Sequence, residues 1–138
     1  MQTYQRKLVI GLFALLLACA APLRAQAQSA APFFDGGQFL GNDPGGNAVY
    51  YLPYFNTYTL EYFPYVYKYN FGYLYFLGNG GTSTDLYVYD FTAREILYTK
   101  PGLYPYFYDF NRSAFLYYFE GSNPRVFYNF GTQQFLFE

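Results

Sequence analysis

The fold is decided by the stretch Phe107-Tyr108-Asp109-Phe110, which is followed after the turn Asn111–Ala114 by Phe115-Leu116-Tyr117. Closely similar stretches recur on both sides of it. Their polar positions are Asn70, Asp90, Asp109 and Asn129, at spacings of 20, 19 and 20 residues. A fixed period of this kind indicates one supersecondary unit that is used repeatedly. Aromatic and β-branched residues between Gly, Pro and Asn breakers are typical of strands, so each unit is predicted to be a β-hairpin followed by a wider loop.

Residues 48–138 are predicted to form one aromatic β-hairpin repeat domain. Its candidate strands are Val49–Pro53, Tyr58–Tyr62, Tyr65–Asn70, Tyr73–Leu77, Asp85–Asp90, Ile96–Thr99, Tyr104–Asp109, Phe115–Phe119, Arg125–Asn129 and Phe135–Phe137. The predicted fold class is all-β, an antiparallel meander of hairpin repeats that forms a small sandwich or an open barrel. Residues 28–47 are rich in Gly, Ala and Gln. We interpret them as either a linker or a loose leading strand that joins the sheet.

The first 27 residues have the organisation of a secretory signal peptide. Arg6-Lys7 supply positive charge, and Leu8–Ala21 is an apolar run of 14 residues. That run is shorter than the roughly 20 apolar residues that a membrane-spanning helix needs. Ala25-Gln26-Ala27 is a small-x-small cleavage site, so export with cleavage after Ala27 is predicted.

A second interpretation of this segment concerns the single cysteine of the chain. Leu16-Leu17-Ala18-Cys19 resembles a bacterial lipobox, in which cleavage precedes a lipid-modified cysteine. In that case the chain would be anchored to a membrane through its lipid chains. We prefer the first interpretation, in which Cys19 is a small apolar residue within the signal peptide.

Composition excludes several classes of function. With no histidine and one cysteine, His-based catalysis, thiol catalysis in the cleaved chain and an intramolecular disulfide are all excluded. After cleavage the chain carries five basic and nine acidic residues, a net charge of −4. Nucleic-acid binding requires a patch of basic residues, and the five basic residues here are few and spread along the sequence. Paired carboxylates are the remaining common route to catalysis, and Asp90 with Glu95 or Asp109 with Glu120 could approach each other. None of them lies in a distinctive motif, so we predict no enzyme and no cofactor.

Alternation along the strands sorts the side chains onto two faces. One face is aromatic, with members such as Tyr87, Tyr89 and Phe91, and the other is mixed, with members such as Leu86, Val88 and Asp90. We expect the aromatic face to be the core. Buried tyrosine hydroxyls need partners, however, so some rings are expected to be half-covered with their oxygens at the surface. The candidate surface-binding residues are Tyr69, Tyr89, Tyr108 and Tyr128.

The recurring polar positions are predicted to stabilise turns. Asn70, Asp90, Asp109 and Asn129 each lie just before a turn, where a side-chain oxygen can accept hydrogen bonds from backbone amides two residues further on. A calcium site is the weaker alternative, because calcium requires several converging oxygens and each repeat offers only one such position. We therefore predict no metal site.

The final repeats resemble a known kind of module. The string Tyr108-Asp109-Phe110, a four-residue turn, Leu116–Phe119 and Asn123–Phe130 is similar to Tyr/Phe-rich β-hairpin repeats at the ends of exported bacterial proteins of uncharacterised function. The resemblance covers about residues 85–137 and implies a repeat architecture without implying an activity.

We interpret the chain as an exported, noncatalytic β-repeat module of the cell envelope or extracellular space. It would act in surface assembly or attachment through Tyr-rich contacts, with a further copy of itself or an envelope protein as partner. The alternative is a carbohydrate-binding module that stacks sugars on exposed tyrosines. No nucleic-acid partner is expected, and a membrane partner only if Cys19 is lipidated.

Overall fold

The computed structural model describes residues 31–78 and 84–138. A three-residue 3-10 helix, Pro32–Phe34, precedes eleven strands. The strands are β1 (Gln38–Asn42), β2 (Ala48–Leu52), β3 (Asn56–Tyr62), β4 (Tyr65–Lys68), β5 (Gly72–Phe76), β6 (Leu86–Asp90), β7 (Glu95–Thr99), β8 (Tyr106–Asp109), β9 (Ala114–Tyr118), β10 (Val126–Asn129) and β11 (Gln134–Phe137). The predicted signal peptide and Cys19 lie outside the described residues.

The strands form one antiparallel sheet in which every strand pairs with its neighbours in sequence. This topology confirms the predicted all-β hairpin meander. The described sheet is a single one and is not closed into a barrel. The ten candidate strands each overlap one of β2 to β11, whereas β1 comes from the Gly-rich segment. Within that segment Phe33 and Phe34 are also buried, so it contributes to both the sheet and the core.

Four of the hairpins place a polar residue at the end of their first strand. Across the ladder Lys68 faces Gly72, Asp90 faces Glu95, Asp109 faces Ala114 and Asn129 faces Gln134. The last three hairpins have four-residue turns whose final residues, Arg94, Ser113 and Gln133, have positive φ. The first has a three-residue turn with Asn70 at φ 60°. Lys68, and not Asn70, is therefore the structural counterpart of Asp90.

The core lies on the mixed face of the sheet, contrary to the expectation that the aromatic face would be buried. Leu74, Leu86, Leu97 and Leu116 are at most 2% exposed, whereas the tyrosines that alternate with them are half-buried or exposed. Phe71 lies beyond the end of β4, yet its ring centroid is 4.9 Å from that of Tyr118 in β9. Contacts across so many strands show that the sheet curls around the mixed face.

Two physical reasons account for this choice of face. The inside of the curl is filled by aliphatic side chains together with phenylalanine rings. On the outside, the tyrosine rings can pack on one another and leave their hydroxyls in water. The inward charged side chains are tolerated because each has an oppositely charged partner. Asp90 and Asp109, for example, accept hydrogen bonds from turn amides and from arginine side chains.

Candidate functional site

Three of the four candidate surface tyrosines occupy equivalent positions on the outer face. Tyr89, Tyr108 and Tyr128 are half-buried, and each packs edge-to-face against the phenylalanine two residues later. The centroid distances are 5.2, 5.1 and 5.0 Å, at interplanar angles of 86°, 86° and 87°. The repeat is therefore preserved in side-chain geometry as well as in backbone.

The same phenylalanines connect neighbouring hairpins. Phe91 packs on Tyr65, Phe110 on Tyr87 and Phe130 on Tyr106, with centroids 6.1, 6.3 and 5.9 Å apart and interplanar angles of 22°, 30° and 35°. Aromatic pairs of this kind contribute about 0.5–1.5 kcal/mol each beyond area burial. We name the surface formed by these rings and the outward tyrosines of β4 to β11 the outer aromatic face. Phe91, Phe110 and Phe130 are 45–48% exposed, so it presents apolar area to solvent.

Tyr69 differs from the other three candidates because it lies in the β4–β5 turn. Its ring packs on Tyr67 at 5.2 Å, and its hydroxyl donates to Asp43 Oδ2 at 3.4 Å. Burial raises the pKa of the Tyr69 hydroxyl, and the nearby Asp43 carboxylate raises it further. Tyr69 therefore links the β4–β5 turn to the β1–β2 loop.

Of the four positions predicted to stabilise turns, three behave alike and Asn70 differs. Oδ1 of Asp90, Asp109 and Asn129 accepts backbone N–H bonds from the residues two and three positions later. The shorter bonds are 2.9, 2.8 and 2.8 Å long. Asn70 instead supplies the left-handed residue of its turn, and its carbonyl oxygen accepts a 2.7 Å hydrogen bond from the Tyr118 hydroxyl.

Sequence reasoning missed a network of charged side chains inside the curl. Arg125 donates from Nη1 to Asp90 Oδ2 at 2.7 Å and from Nη2 to Glu138 Oε2 at 2.8 Å. Arg112 donates from Nη1 to Asp109 Oδ2 at 2.6 Å and also forms an ion pair with Glu95. Its contact with Glu138 joins the two halves of the network. Because Arg125 lies 35 residues from Asp90, no local pattern could have indicated the pairing.

Burial shapes the acid–base behaviour of this network. Desolvation raises the pKa of the Asp109 carboxyl, although hydrogen bonds from the Arg112 and Asn111 amides act in the opposite direction. Desolvation also raises the pKa of Glu138, with Arg125 opposing it. The carboxylates considered for paired catalysis are all engaged by cations: Asp90 by Arg125, Asp109 and Glu95 by Arg112, and Glu120 by Lys68.

Lys68 is a second feature that the sequence did not indicate. Its side chain is fully buried, and Nζ lies 3.0 Å from Glu120 Oε1. The rings of Phe55, Phe71, Tyr104 and Tyr118 surround the ammonium, with centroids 5.2–5.6 Å away. Burial lowers the pKa of Lys68, and the Glu120 carboxylate opposes that shift. Cation–π contacts and the ion pair together compensate the ammonium for lost hydration.

A pocket of about 340 Å³ opens at one rim of the curl, and we name it the rim pocket. It lies between the β4–β5 turn, the β6–β7 turn, the β9–β10 loop and Glu138. Polar side chains dominate its lining, which comprises Tyr67, Asn70, Phe71, Gly72, Thr92, Ser122, Asn123, Pro124, Arg125 and Glu138. The volume falls at the lower end of the usual range for small-molecule sites, about 300–1,000 Å³.

Comparisons with known proteins assign no family. No family model matches the chain, and no curated protein and no solved structure is measurably similar to it. In residues 31–78 and 84–138, no helix is long and apolar enough to cross a membrane. Over the same ranges, no three His, Cys, Asp or Glu side chains converge in a way that could hold a metal ion.

Proposed function

We propose that this chain is an exported, noncatalytic β-repeat module that acts in surface assembly or attachment. The observation that carries the proposal is the outer aromatic face, on which equivalent rings repeat with nearly constant geometry from one hairpin to the next. Exposed apolar area with ordered rings favours contact with another surface. Tyrosine suits such contacts because its ring supplies area while its hydroxyl remains hydrated.

A contact function without catalysis fits the polar groups that the structure describes. The inward carboxylates are occupied by arginine or lysine, and the chain contains no histidine. General acid–base chemistry needs a titratable side chain that can reach a substrate. The outer face, in contrast, presents mainly tyrosine and phenylalanine, which recognise partners by packing.

The two outermost strands of the described sheet support self-association. Strand β1 exposes Phe39 and Leu40, and β11 exposes Phe135 and Phe137. Neither strand carries a lysine, glutamate or proline, the residues that commonly protect open edges. Pairing of an outermost strand in one copy with an outermost strand in another would extend the sheet between molecules.

Light scattering after size-exclusion chromatography tests the proposal on the chain as purified from an exporting host. We expect oligomers that grow with concentration and are weakened by the variant F91S/F110S/F130S, which removes three exposed rings. The matched control is N111S/T132S, which changes exposed residues of the same turns without removing a ring. A wild-type protein that stays monomeric, and that is not retained on isolated envelopes, would sink the proposal.

Export is part of the proposal and has its own measurement. Intact mass of the purified chain should correspond to an N-terminus at Gln28, as the cleavage site after Ala27 predicts. A mass that places lipid on Cys19 would support the lipoprotein alternative and add a membrane to the partners. Unprocessed chain retained in the cytoplasm would contradict export.

The second candidate is carbohydrate binding on the exposed tyrosines. The half-buried rings of Tyr89, Tyr108 and Tyr128 support it, because they stand in a regular row on the outer face. Retention of a monomer on one insoluble polysaccharide, with release by its soluble sugar, would favour this candidate over assembly. Assembly predicts oligomers in the absence of any sugar.

A further inference from the structure

We propose that the rim pocket is a binding site for a neutral polyhydroxyl ring, the size of one sugar residue. The site lies away from the row of Tyr89, Tyr108 and Tyr128 and shares only Tyr67 with the outer aromatic face. It does not depend on whether the chain self-assembles. Its walls come from four parts of the chain that the curl brings together: the turns after β4 and β6, the β9–β10 loop and Glu138.

Unused hydrogen-bonding capacity points to a polar ligand. The amides of Asn70 and Asn123 line the pocket, and within the described ranges neither is bonded to another side chain. A primary amide can both donate and accept, as a sugar hydroxyl can. Two such amides, one from the β4–β5 turn and one from the β9–β10 loop, therefore match a ligand that carries several hydroxyl groups.

The charge of the pocket argues against an anionic ligand. Arg125 is its one cation, and that guanidinium is already held by Asp90 and Glu138. Arg112, which also contacts Glu138, is likewise paired with carboxylates, so among the described residues the pocket offers no unpaired cation to attract a phosphate or carboxylate group. A neutral ligand needs no such cation and can still bond to the polar groups of the lining.

The walls of the pocket are held in place before any ligand arrives. Ser122 Oγ donates to Phe119 O at 2.7 Å and accepts from Val126 N at 2.9 Å, which ties down the β9–β10 loop. The Tyr67 ring on the other side packs against Tyr73 at 4.8 Å. A fixed ring beside two free amides is a suitable platform for the apolar face of a sugar, and preformed walls reduce the entropy lost on binding.

The test is saturation-transfer NMR on the chain purified from an exporting host. The probes are glucose, galactose, mannose and N-acetylglucosamine, the trisaccharides maltotriose and chitotriose, and sodium phosphate and acetate as anions. We expect at least one monosaccharide to bind saturably and neither anion to compete. Tighter binding of a trisaccharide than of its monomer would identify the end of a polysaccharide as the source of the ring.

Two variants locate the site. Asn70→Gly keeps the left-handed turn and removes its side-chain amide, and Asn123→Ala removes the side-chain amide that the β9–β10 loop contributes. Each should weaken binding about tenfold, which is about 1.4 kcal/mol. The matched control is Gln133→Gly, which deletes an amide side chain at a left-handed position outside the pocket (φ 58°) and should leave affinity unchanged.

Several outcomes would overturn the inference. They are the absence of saturable binding by every sugar, equal loss in Gln133→Gly, and binding of the anions in preference to the sugars. Sugar binding that survives in both pocket variants but is lost in F91S/F110S/F130S would also overturn it and favour the outer aromatic face. Because oligomer formation is measured separately, failure here would leave the assembly proposal standing.

Discussion

The β4–β5 hairpin and the three later hairpins use the same inward position for different polar groups, a cation in the first and a carboxylate or an amide in the others. Lys68 ends the first strand of one, and Asp90, Asp109 and Asn129 end the first strands of the others, all at most 2% exposed. The later residues bond to their own turn amides, whereas Lys68 lies among four rings and pairs with Glu120, 52 residues away. The comparison shows that each of these hairpins has a polar side chain with a hydrogen-bond partner at the end of its first strand. Whether that side chain is a cation, a carboxylate or an amide depends on the residues that face it across the curl.

The largest loss of stability should come from giving the β4–β5 hairpin the aspartate that two of the later hairpins carry. Lys68→Asp would place a carboxylate among the rings of Phe71 and Tyr118 and beside Glu120. Among the described residues, no arginine forms an ion pair at this position as Arg125 does with Asp90. An unpaired buried charge costs about 3–5 kcal/mol, and we expect a loss of stability of that order in urea unfolding. The control is Lys68→Met, which keeps the length of the side chain without its charge. Equal stabilities of the two variants would show that the charge at this position is unimportant.

Asp90→Asn should have the next largest effect. The amide oxygen can still accept from the turn amides, but the negative charge that faces Arg125 is lost. A hydrogen bond to a charged group contributes about 1.5–3 kcal/mol, so a decrease of this size in the free energy of unfolding is expected. The reciprocal change Asn129→Asp should give no comparable gain, because no arginine side chain is bonded to Asn129 among the described residues. A gain equal to the loss at Asp90 would contradict the role given to Arg125.

Asn129→Ala should lower the free energy of unfolding by a smaller amount. It tests the contribution of the hydrogen bonds between this side chain and the turn amides. It removes the oxygen that accepts from Gly131 and Thr132, while the charged network stays intact. Hydrogen bonds between neutral groups contribute about 1 kcal/mol net, and urea unfolding should report a loss near that value. Asn129→Ser retains a shorter acceptor and should recover part of it. If Ala and Ser variants were as stable as the wild type, the turn role of this position would be wrong.

The smallest effect concerns pH and tests the network of charged side chains around Glu138. Burial raises the pKa of Glu138 above its ordinary value of 4.5, so the folded state binds more protons than the unfolded state between the two pKa values. Stability should therefore fall as pH rises through that window, and Asp109 acts in the same direction. Glu138→Gln should flatten the decline in a series of urea titrations. Glu61→Gln, at an exposed site on β3, should leave the slope unchanged.

Strands and turns were predictable because both depend on local chemistry. Alternation and breakers located β2 to β11, and the spacing of Asp90, Asp109 and Asn129 marked the ends of three first strands. The alignment was wrong at Asn70, because the β4–β5 turn is one residue shorter than the others. Lysine and aspartate also differ in charge and shape. The spacing of the repeats was therefore not enough to identify Lys68 as the counterpart of Asp90.

The sequence by itself determined the antiparallel meander, because strand propensity, period-2 alternation and turn residues are properties of neighbours along the chain. Only the tertiary structure decided which face is inside, which cation pairs with which carboxylate, and that a pocket opens at the rim. The alternation defines two faces without ranking them. The curl of the sheet decides between them, because it brings Arg125 to Asp90 and Glu120 to Lys68 and so supplies partners for the charged groups of the mixed face.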